Sequence, residues 1–250
     1  MAGSLFDLTG RRALITGSSQ GIGLALARGL AEAGASVLLN GRDPDKLAAA
    51  AAEIPGAVQL PFDVTDHAAT VRAIDAAEAD GPVDILVNNA GLQHRAPLDE
   101  FPPDAFARLL QTNITGVFNV AQACARHMIP RGRGKIVNIT SVNALVARAT
   151  IAPYTATKGA VANLTKGMAT DWARHGLNCN AIGPGYMKTP LNEALSSDPA
   201  FNEWLERRTP AGRWGNPEEL VGACVFLASD AASFVNGHVI YVDGGLTAAL

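Results

Sequence analysis

The sequence predicts a doubly wound α/β fold, a parallel sheet of seven strands with helices on both faces. Short apolar runs alternate with helical patterns along the whole chain, which is typical of parallel strands joined by crossover helices. Hydrophobic residues make up 48% of the 250 residues, enough for one large core. No linker, charge run or change of composition marks a boundary, so we expect residues 1–250 to form a single dinucleotide-binding and catalytic domain.

The elements follow from the pattern of apolar residues. Strands are predicted at 13–16, 36–40, 57–62, 85–88, 135–140, 177–182 and 238–242. Helices are predicted at 22–33, 44–54, 68–79, 103–127, 153–174 and 217–228. The least regular segment, 185–215, contains a short helical pattern at 199–208 and follows the sixth strand. Because ligands bind at that end of parallel strands, 185–215 is interpreted as a substrate loop or lid; the alternative is an ordinary surface connection.

Charge and composition exclude several classes of function. A net charge of -3 and an isoelectric point near 5.9 provide no long-range attraction for nucleic acid or an anionic membrane, so a small-molecule substrate is expected. The three cysteines are widely spaced in apolar stretches, which indicates reduced buried thiols rather than a disulfide or a metal site. Residues 1–12 lack an apolar signal core and no later run is long enough to span a membrane, so a cytoplasmic enzyme is expected.

Three polar residues carry the chemistry. Tyr154 and Lys158 are four residues apart, and Ser141 lies thirteen residues before Tyr154. A phenol has a pKa of about 10, so it needs help to act as a base near neutral pH. On a helix, Lys158 would lie on the same face as Tyr154 and favour phenolate, while Ser141 could donate a hydrogen bond to a substrate oxygen. The trio predicts interconversion of an alcohol and a carbonyl, although Tyr154 and Lys158 alone would also suit an amphipathic surface.

A glycine-rich turn predicts the cofactor site. Residues 16–23 read Thr-Gly-Ser-Ser-Gln-Gly-Ile-Gly and lie between the first strand and the first helix. Glycine allows a sharp turn and a close approach to a pyrophosphate, whose charge the helix N-terminus then meets. A Rossmann-type dinucleotide site is therefore expected rather than a plain tight turn. Its predicted contacts here are Gly17, Ser19, Gln20, Gly21, Ile22 and Gly23.

The end of the second strand predicts which dinucleotide binds. NAD-dependent Rossmann enzymes usually have an acid here for the ribose hydroxyls, whereas residues 40–42 read Asn-Gly-Arg. Arg42 can bind a 2′-phosphate, so NADP(H) is favoured over NAD(H); Asp43 is interpreted as a helix cap. Further contacts are expected after the third and fourth strands, from Asp63, Val64, Asn89, Ala90 and Gly91. Alternatively, Asp63 caps the turn before Thr65, and the asparagines at 88 and 89 bind loop backbone.

These motifs, in this order, resemble the short-chain dehydrogenase/reductase family over nearly the whole chain. The resemblance implies a catalytic tetrad of Asn113, Ser141, Tyr154 and Lys158. Tyr154 would be the general acid and base, Lys158 would also bind the nicotinamide ribose, and Asn113 would hold a water that links Lys158 to solvent. Residues implied to hold the nicotinamide are Pro184, Gly185, Met187 and Thr189. Gly183 departs from the alanine that is common in the family before Pro-Gly, and Met187 replaces other apolar residues.

Within the family, residues 40–42, 91–98 and 201–215 resemble the gluconate 5-dehydrogenases. That resemblance implies NADP-linked interconversion of D-gluconate and 5-keto-D-gluconate. Alternatives are reduction of a 3-oxoacyl thioester, another sugar-acid dehydrogenase, or a non-catalytic dinucleotide sensor, which would not need Ser141, Tyr154 and Lys158. The resemblance also implies a homo-oligomer, commonly a tetramer, packed through the helices that begin near residues 103 and 153.

A polyol acid needs a partner for its carboxylate and several hydrogen-bonding groups. Arg95 is the first candidate, because its planar fork suits a carboxylate and it follows the fourth strand; Arg148 competes with it. His94 is expected to donate to a hydroxyl group, with a solvated loop position as the alternative. The predicted substrate contacts are Arg95, His94, Ser141, Asn143, Arg148 and Tyr154.

Overall fold

The computed structural model describes residues 5–250, so the first four residues of the 1–12 segment lie outside it. Seven parallel strands form one sheet in the order β3-β2-β1-β4-β5-β6-β7, which confirms the predicted fold class. Their bounds are β1 Arg12–Ile15, β2 Ser36–Leu39, β3 Val58–Gln59, β4 Ile85–Asn88, β5 Gly134–Ile139, β6 Leu177–Pro184 and β7 Val239–Val242. The strand order reverses between β1 and β4, and ligands bind at such a switch point beside the carboxyl ends of the strands.

Helices cover both faces of the sheet. The α-helices are α1 Gly21–Glu32, α2 Pro44–Ala52, α3 His67–Asp80, α4 Pro103–Leu110, α5 Gly116–Arg131, α6 Ala152–Trp172, α7 Glu193–Ser196, α8 Pro199–Arg208 and α9 Val221–Ala228. Alternate strand residues bury opposite faces. Ile15 of β1 packs in the cluster that includes residues of α1 and α9, whereas Leu14 packs in the cluster that includes residues of α3, α5 and α6. This alternation explains why each central strand reads as a continuous apolar run.

Two predicted elements show the largest differences from the structure. The third strand was predicted at 57–62 but spans only Val58–Gln59, because the Asn40 side chain donates to the carbonyl oxygens of Leu60 and Phe62 in place of a strand partner. The helix predicted at 103–127 is interrupted by a π-helical turn at Gln111–Thr115. A π-turn re-aims the side chains within it, and this one contains the predicted site residue Asn113.

The three cysteines have the buried positions that their apolar surroundings in the sequence predict. Cys124, Cys179 and Cys224 are buried and free, and burial raises the pKa of each thiol. Within residues 5–250, no helix has both the length and the apolar character of a transmembrane span. The same residues contain no group of three or more histidine, cysteine or acidic side chains suited to hold a metal ion.

Candidate active site

A cavity of about 520 Å³ lies along the carboxyl edge of the sheet and extends under the segment after β6. It brings together most of the predicted site residues, although these come from many separate parts of the chain. Those that line it are Gly17, Ser19, Gln20, Gly21, Ile22, Arg42, Asp63, Val64, Asn89, Ala90, Gly91, Arg95, Ser141, Asn143, Arg148, Tyr154, Lys158, Pro184, Gly185, Met187 and Thr189. Gly23, His94 and Asn113 are not among its lining residues.

The glycine turn has a conformation and a packing that require glycine. Gly17 and Gly21 have φ values of 62° and 59°, in the left-handed region. A Cβ atom on Gly17 would lie 2.8 Å from the Ala90 Cα, and one on Gly23 would collide with the Gly17 carbonyl oxygen. The Asn89 amide donates to the carbonyl oxygens of Thr16 and Gly17, at 3.0 Å each. The turn is therefore held from behind by Asn89.

The start of α1 fits a dinucleotide phosphate. Gln20 is its N-cap residue and makes no side-chain capping hydrogen bond, and the first turn contains no acid. The first backbone N–H groups of a helix lack partners within it and favour an anion. Thr189 and Pro190 lie over this turn, since a Cβ atom on Gly21 would be 3.8 Å and 3.7 Å from their side chains. These residues form a cradle whose free N–H groups and lack of acidic side chains favour a phosphate group.

At the far end of this cradle, Arg42 forms an ion pair with Asp63, with 3.3 Å between Nη1 and Oδ2. The other Asp63 oxygen accepts from the backbone and hydroxyl of Thr65, so the turn-capping alternative also holds. Burial raises the pKa of Asp63, whereas its hydrogen bonds with Thr65 and the charge of Arg42 lower it. The lowering effects are larger together, so the pKa of Asp63 lies below its ordinary value. Asp43 caps α2, as predicted. Lys46 also lines the cavity, with 3.9 Å between its Nζ and the Asp43 Oδ2.

Ser141, Tyr154 and Lys158 meet at the centre of the cavity. Ser141 follows β5, and its hydroxyl accepts from the Asn143 backbone N–H at 3.1 Å. Tyr154 and Lys158 lie on one face of α6, with 5.6 Å between the Lys158 Nζ and the centre of the phenol ring. The Lys158 ammonium donates to the Ile139 carbonyl at 2.8 Å, which fixes its direction. The predicted helical geometry of the pair is confirmed.

The pKa of Tyr154 is affected by Arg95, which was predicted only as a substrate contact. Burial raises the pKa of Tyr154 to about 12, while a hydrogen bond with Ser141 and the positive charge of Arg95 act in the opposite direction. Burial also lowers the pKa of Lys158 to about 8. Arg95 therefore supplies the positive charge that opposes the effect of burial on Tyr154. The predicted influence of Lys158 on the phenol stays a prediction.

Asn113 lies behind the cavity, in the π-turn. Its Oδ1 accepts from the Leu92 N–H at 2.9 Å, and its Nδ2 donates to the Leu92 carbonyl at 2.9 Å and to Thr157 at 3.1 Å. The side chain thereby joins the loop after β4 to α6. A Cβ atom on Gly91 would lie 3.4 Å from the Asn113 Oδ1 and 3.8 Å from the Lys158 Nζ, so both polar groups border this glycine. The water-holding role of Asn113 stays a prediction.

Two arginines define the other end of the cavity. The Arg95 Nη2 donates to Gln93 at 2.8 Å and to Asn192 at 3.2 Å. The Arg148 guanidinium lies 5.4 Å from the centre of the Phe201 ring in α8. Within residues 5–250, neither arginine forms an ion pair, and Arg95 Nε and Arg148 Nε and Nη2 are buried without a hydrogen-bond partner. Buried guanidinium groups of this kind favour an anionic ligand.

Comparison with known proteins identifies the family. A family model described as enoyl-(acyl carrier protein) reductase matches residues 17–247. Gluconate 5-dehydrogenase of Gluconobacter oxydans is 60% identical over 98% of both chains, and 5-keto-D-gluconate 5-reductase of Escherichia coli K12 is 47% identical over 98% of this chain and 99% of its own. The chain belongs to the short-chain dehydrogenase/reductase family.

Solved structures of family members support the same conclusion. The structure of a gluconate 5-dehydrogenase from Burkholderia cenocepacia in complex with NADP and tartrate has a TM-score of 0.96 with this chain, at 59% identity over 98% of both chains. A gluconate dehydrogenase from Agrobacterium tumefaciens, described as putative, has a TM-score of 0.97 at 49% identity over 99% of this chain and 100% of its own. The family fold therefore extends over nearly the whole chain.

Several polar residues that line the cavity were not predicted from the sequence, among them Lys46, Gln93, Tyr186 and Asn192. Tyr186 lies at the edge of an aromatic cluster, with its ring centre 5.4 Å from that of Phe201 and 5.8 Å from those of Trp204 and Trp214. The concentration of aromatic residues in 186–214 was the available signal. The predicted contact His94 packs edge-on against Phe101 at 5.1 Å and does not line the cavity.

Proposed function

We propose that this protein interconverts D-gluconate and 5-keto-D-gluconate with NADP(H). Two relatives named for this chemistry are 60% and 47% identical to it. The observation that carries the proposal is the position of Arg95 and Arg148 in the cavity that contains Tyr154 and Ser141; among residues 5–250, neither arginine has an acidic partner. A reactive alcohol site beside unpaired guanidinium groups suits a sugar acid.

The catalytic residues have distinct roles in this proposal. The nicotinamide of NADP⁺, when bound, would supply the acceptor for the hydride that leaves C5 of gluconate. The Tyr154 phenolate takes the proton of the C5 hydroxyl, and Ser141 donates a hydrogen bond to that oxygen; the reverse reaction returns the proton from Tyr154. Because burial raises the Tyr154 pKa to about 12, formation of phenolate depends on the opposing effects of Ser141 and Arg95.

Lys158 and Asn113 support this centre. An ammonium group has three N–H donors, and one from Lys158 is directed to the Ile139 carbonyl. The others are available for the nicotinamide ribose, as the resemblance implies. Asn113 holds the loop at Leu92 against α6 and borders the space between Gly91 and Lys158, where a water could relay protons.

The preference for NADP(H) rests on Arg42 and Lys46, two cations that line the cavity. The 2′-phosphate would replace Asp63 as the partner of Arg42, and no acid occupies residues 40–42 to bind the ribose hydroxyls of NAD. The Burkholderia cenocepacia relative was solved with NADP, which supports this assignment.

A second candidate is oxidation of 2-dehydro-3-deoxy-D-gluconate. A relative from Formosa agariphila named as 2-dehydro-3-deoxy-D-gluconate 5-dehydrogenase is 40% identical over 100% of this chain and 97% of its own. That substrate also has a carboxylate at one end and reacts at C5, so the arginines suit both. Assay of both substrates with the purified protein separates the candidates.

The test of the proposal is identification of the product. Incubation of D-gluconate with NADP⁺ and the wild-type protein should yield 5-keto-D-gluconate and NADPH in equal amounts, as measured by NMR and absorbance. Appearance of a 2-keto acid would refute oxidation at C5. Absence of turnover would refute the proposal.

The segment 185–215 is proposed as the substrate loop, since it contributes Asn192 to the cavity and Phe201 to the surroundings of Arg148. A homotetramer in the cytoplasm is also proposed, packed through the helices that begin near residues 103 and 153, which are α4 with α5 and α6. Phe118 of α5 is 43% exposed in the single chain, and a Cβ atom on Gly159 of α6 would meet open space, which supports a packing surface there. Light scattering of the purified protein tests the assembly.

A further inference from the structure

The two arginines of the substrate end have different neighbours. Arg95 is held by Gln93 and Asn192, and its charge acts on the pKa of Tyr154. Arg148 lies beside Phe201, and its charge acts on Tyr186. Arg95 also acts on the pKa of Tyr186, and the charge of Arg148 acts on Arg95, so the two arginines lie near each other; Arg95 is the one whose charge reaches Tyr154, and Arg148 is the one that contacts Phe201.

Gluconate has its charged group and its reacting carbon near opposite ends of the molecule. Its carboxylate is C1, near the opposite end of the carbon chain from C5, the carbon that would be oxidised beside Tyr154. A substrate that places C5 at Tyr154 extends its carboxylate away from the reacting centre. We propose that Arg148 is the specificity-determining residue that binds the substrate carboxylate, that Tyr186 is its positioning residue, and that Arg95 acts at the reacting end. This inference rests on the proposed function.

The guanidinium of Arg148 is suited to a carboxylate. Its Nε and Nη2 atoms form one edge of the planar fork, and both are buried without a hydrogen-bond partner. Two parallel N–H groups on such an edge match the two oxygens of a carboxylate. Arg95 is less free, because its Nη2 already donates to two side-chain oxygens and only its Nε is buried without a partner. Arg148 therefore has more unpaired N–H groups than Arg95, and a carboxylate in the cavity would pair them once the enclosed edge turns towards it.

Tyr186 and Phe201 fix the orientation of that edge. The Phe201 ring lies against the guanidinium at 5.4 Å, a cation–π contact, and its centre is 5.4 Å from that of Tyr186. Tyr186 lines the cavity, and the positive charge of Arg148 opposes the increase in its pKa that burial causes. The aromatic cluster thus orients the anion-binding group.

The test compares D-gluconate with D-gluconamide, which lacks the negative charge but keeps the hydroxyl groups. For Arg148→Met, we expect the KM for gluconate to rise on the order of 10- to 100-fold, the range expected for loss of a charged hydrogen-bonded pair. The KM for gluconamide should change less than about threefold, and kcat should change little for either substrate. Arg207→Gln, which removes an exposed charge from α8, is the matched control and should leave both substrates unaffected.

Arg95→Met should behave differently. It should lower kcat for gluconate and gluconamide to a similar degree. It should also move the acidic limb of the pH profile for oxidation to higher pH, because Tyr154 must be ionised to act as the base and the charge of Arg95 lowers its pKa. The other ionisable groups that face this phenol, Lys158 and Tyr186, are unchanged in the variant.

Tyr186→Phe tests the positioning role. It retains the ring and removes the hydroxyl, so the KM for gluconate should rise severalfold while the KM for gluconamide and kcat stay near their wild-type values. Tyr241→Phe, in β7 and away from the cavity lining, is the matched control and should match wild type. If Arg148→Met does not fold, Arg148→Lys keeps the charge without the fork and should raise the gluconate KM by a smaller factor.

The outcomes separate the inference from the proposed function. If the wild-type protein oxidises neither compound, the proposed function fails and the inference fails with it. If gluconate is oxidised but the Arg148 variants affect gluconate and gluconamide equally, only the assignment of Arg148 is overturned. The assignment of Arg148 would also be overturned if Arg95→Met raised the KM for gluconate but not for gluconamide and left the pH profile unshifted. The carboxylate would then bind Arg95.

Discussion

The cofactor half and the substrate half of the cavity are built in different ways. The cofactor half is formed mainly by backbone: Gly17 and Gly23 pack against neighbouring main chain, and Asn89 holds the turn through carbonyl oxygens. The substrate half is formed by side chains from distant segments, including Arg95 and Arg148. A backbone site tolerates few substitutions and is shared by a family, whereas a side-chain site can change its ligand by single substitutions.

The largest expected effect is at the junction of the two halves. Tyr154→Phe removes the group that exchanges the substrate proton, so kcat should fall on the order of 10²- to 10⁴-fold, the usual range for general acid–base catalysis. NADPH affinity, measured by fluorescence titration, should change little, since the ring and Lys158 remain. A kcat within threefold of wild type would show that another group exchanges the proton.

The next effect concerns the phosphate end of the cofactor half. Arg42→Ala should lower kcat/KM for NADPH about 10- to 100-fold, because a charged hydrogen bond to the 2′-phosphate is lost, and should leave NADH nearly unaffected. Arg72→Ala, on the exposed side of α3, is the control. An unchanged ratio of NADPH to NADH efficiency would contradict the predicted role of Arg42.

Glycine substitutions test the claim that the cofactor half depends on backbone packing. A methyl group on Gly23 collides with the Gly17 carbonyl oxygen, so Gly23→Ala should lower the free energy of unfolding by about 1–3 kcal/mol. Gly222 of α9 has open space beside it, and Gly222→Ala should raise that free energy by about 0.5–1 kcal/mol. Urea denaturation measures both. Equal effects at the two positions would show that backbone packing does not constrain the turn.

The smallest effect concerns the end of the substrate loop. A hydrogen bond with Arg213 lowers the pKa of the exposed Glu219 to about 2. A carboxylate with a lowered pKa stabilises the fold above its unfolded pKa of about 4.5, and this contribution is lost as the pH falls towards 2. Glu219→Gln should therefore lower Tm slightly at pH 7, with a difference that shrinks between pH 4.5 and pH 2. A difference that stays constant over this range would contradict the predicted pKa.

The cofactor half was largely predictable from the sequence because its rules are local. A glycine turn between a strand and a helix, and the spacing of Tyr154 and Lys158 on α6, both follow from backbone geometry over a few residues. The same local rules could not predict the π-turn at Gln111–Thr115, since that turn is stabilised by contacts of Asn113 with Leu92 and Thr157.

The substrate half was predicted less completely because its contacts are tertiary. Arg95 and Arg148 were both proposed, but only the fold shows that one acts on Tyr154 and the other stacks on Phe201. Tyr186 was missed, since its place in the cavity depends on packing with residues of α8 and beyond. His94 was predicted to contact the substrate because it follows the binding edge of the fourth strand in the sequence. In the structure its ring packs against Phe101 instead.

The most direct test of the central claim is an initial-rate comparison of NADPH oxidation with 5-keto-D-gluconate, other keto sugars and a 3-oxoacyl thioester. The two unpaired arginines predict the highest kcat/KM for 5-keto-D-gluconate, by at least about tenfold over neutral keto sugars and the thioester, since a single charged contact contributes that much. A higher kcat/KM for the thioester or for a neutral keto sugar would contradict a substrate half built for a sugar acid.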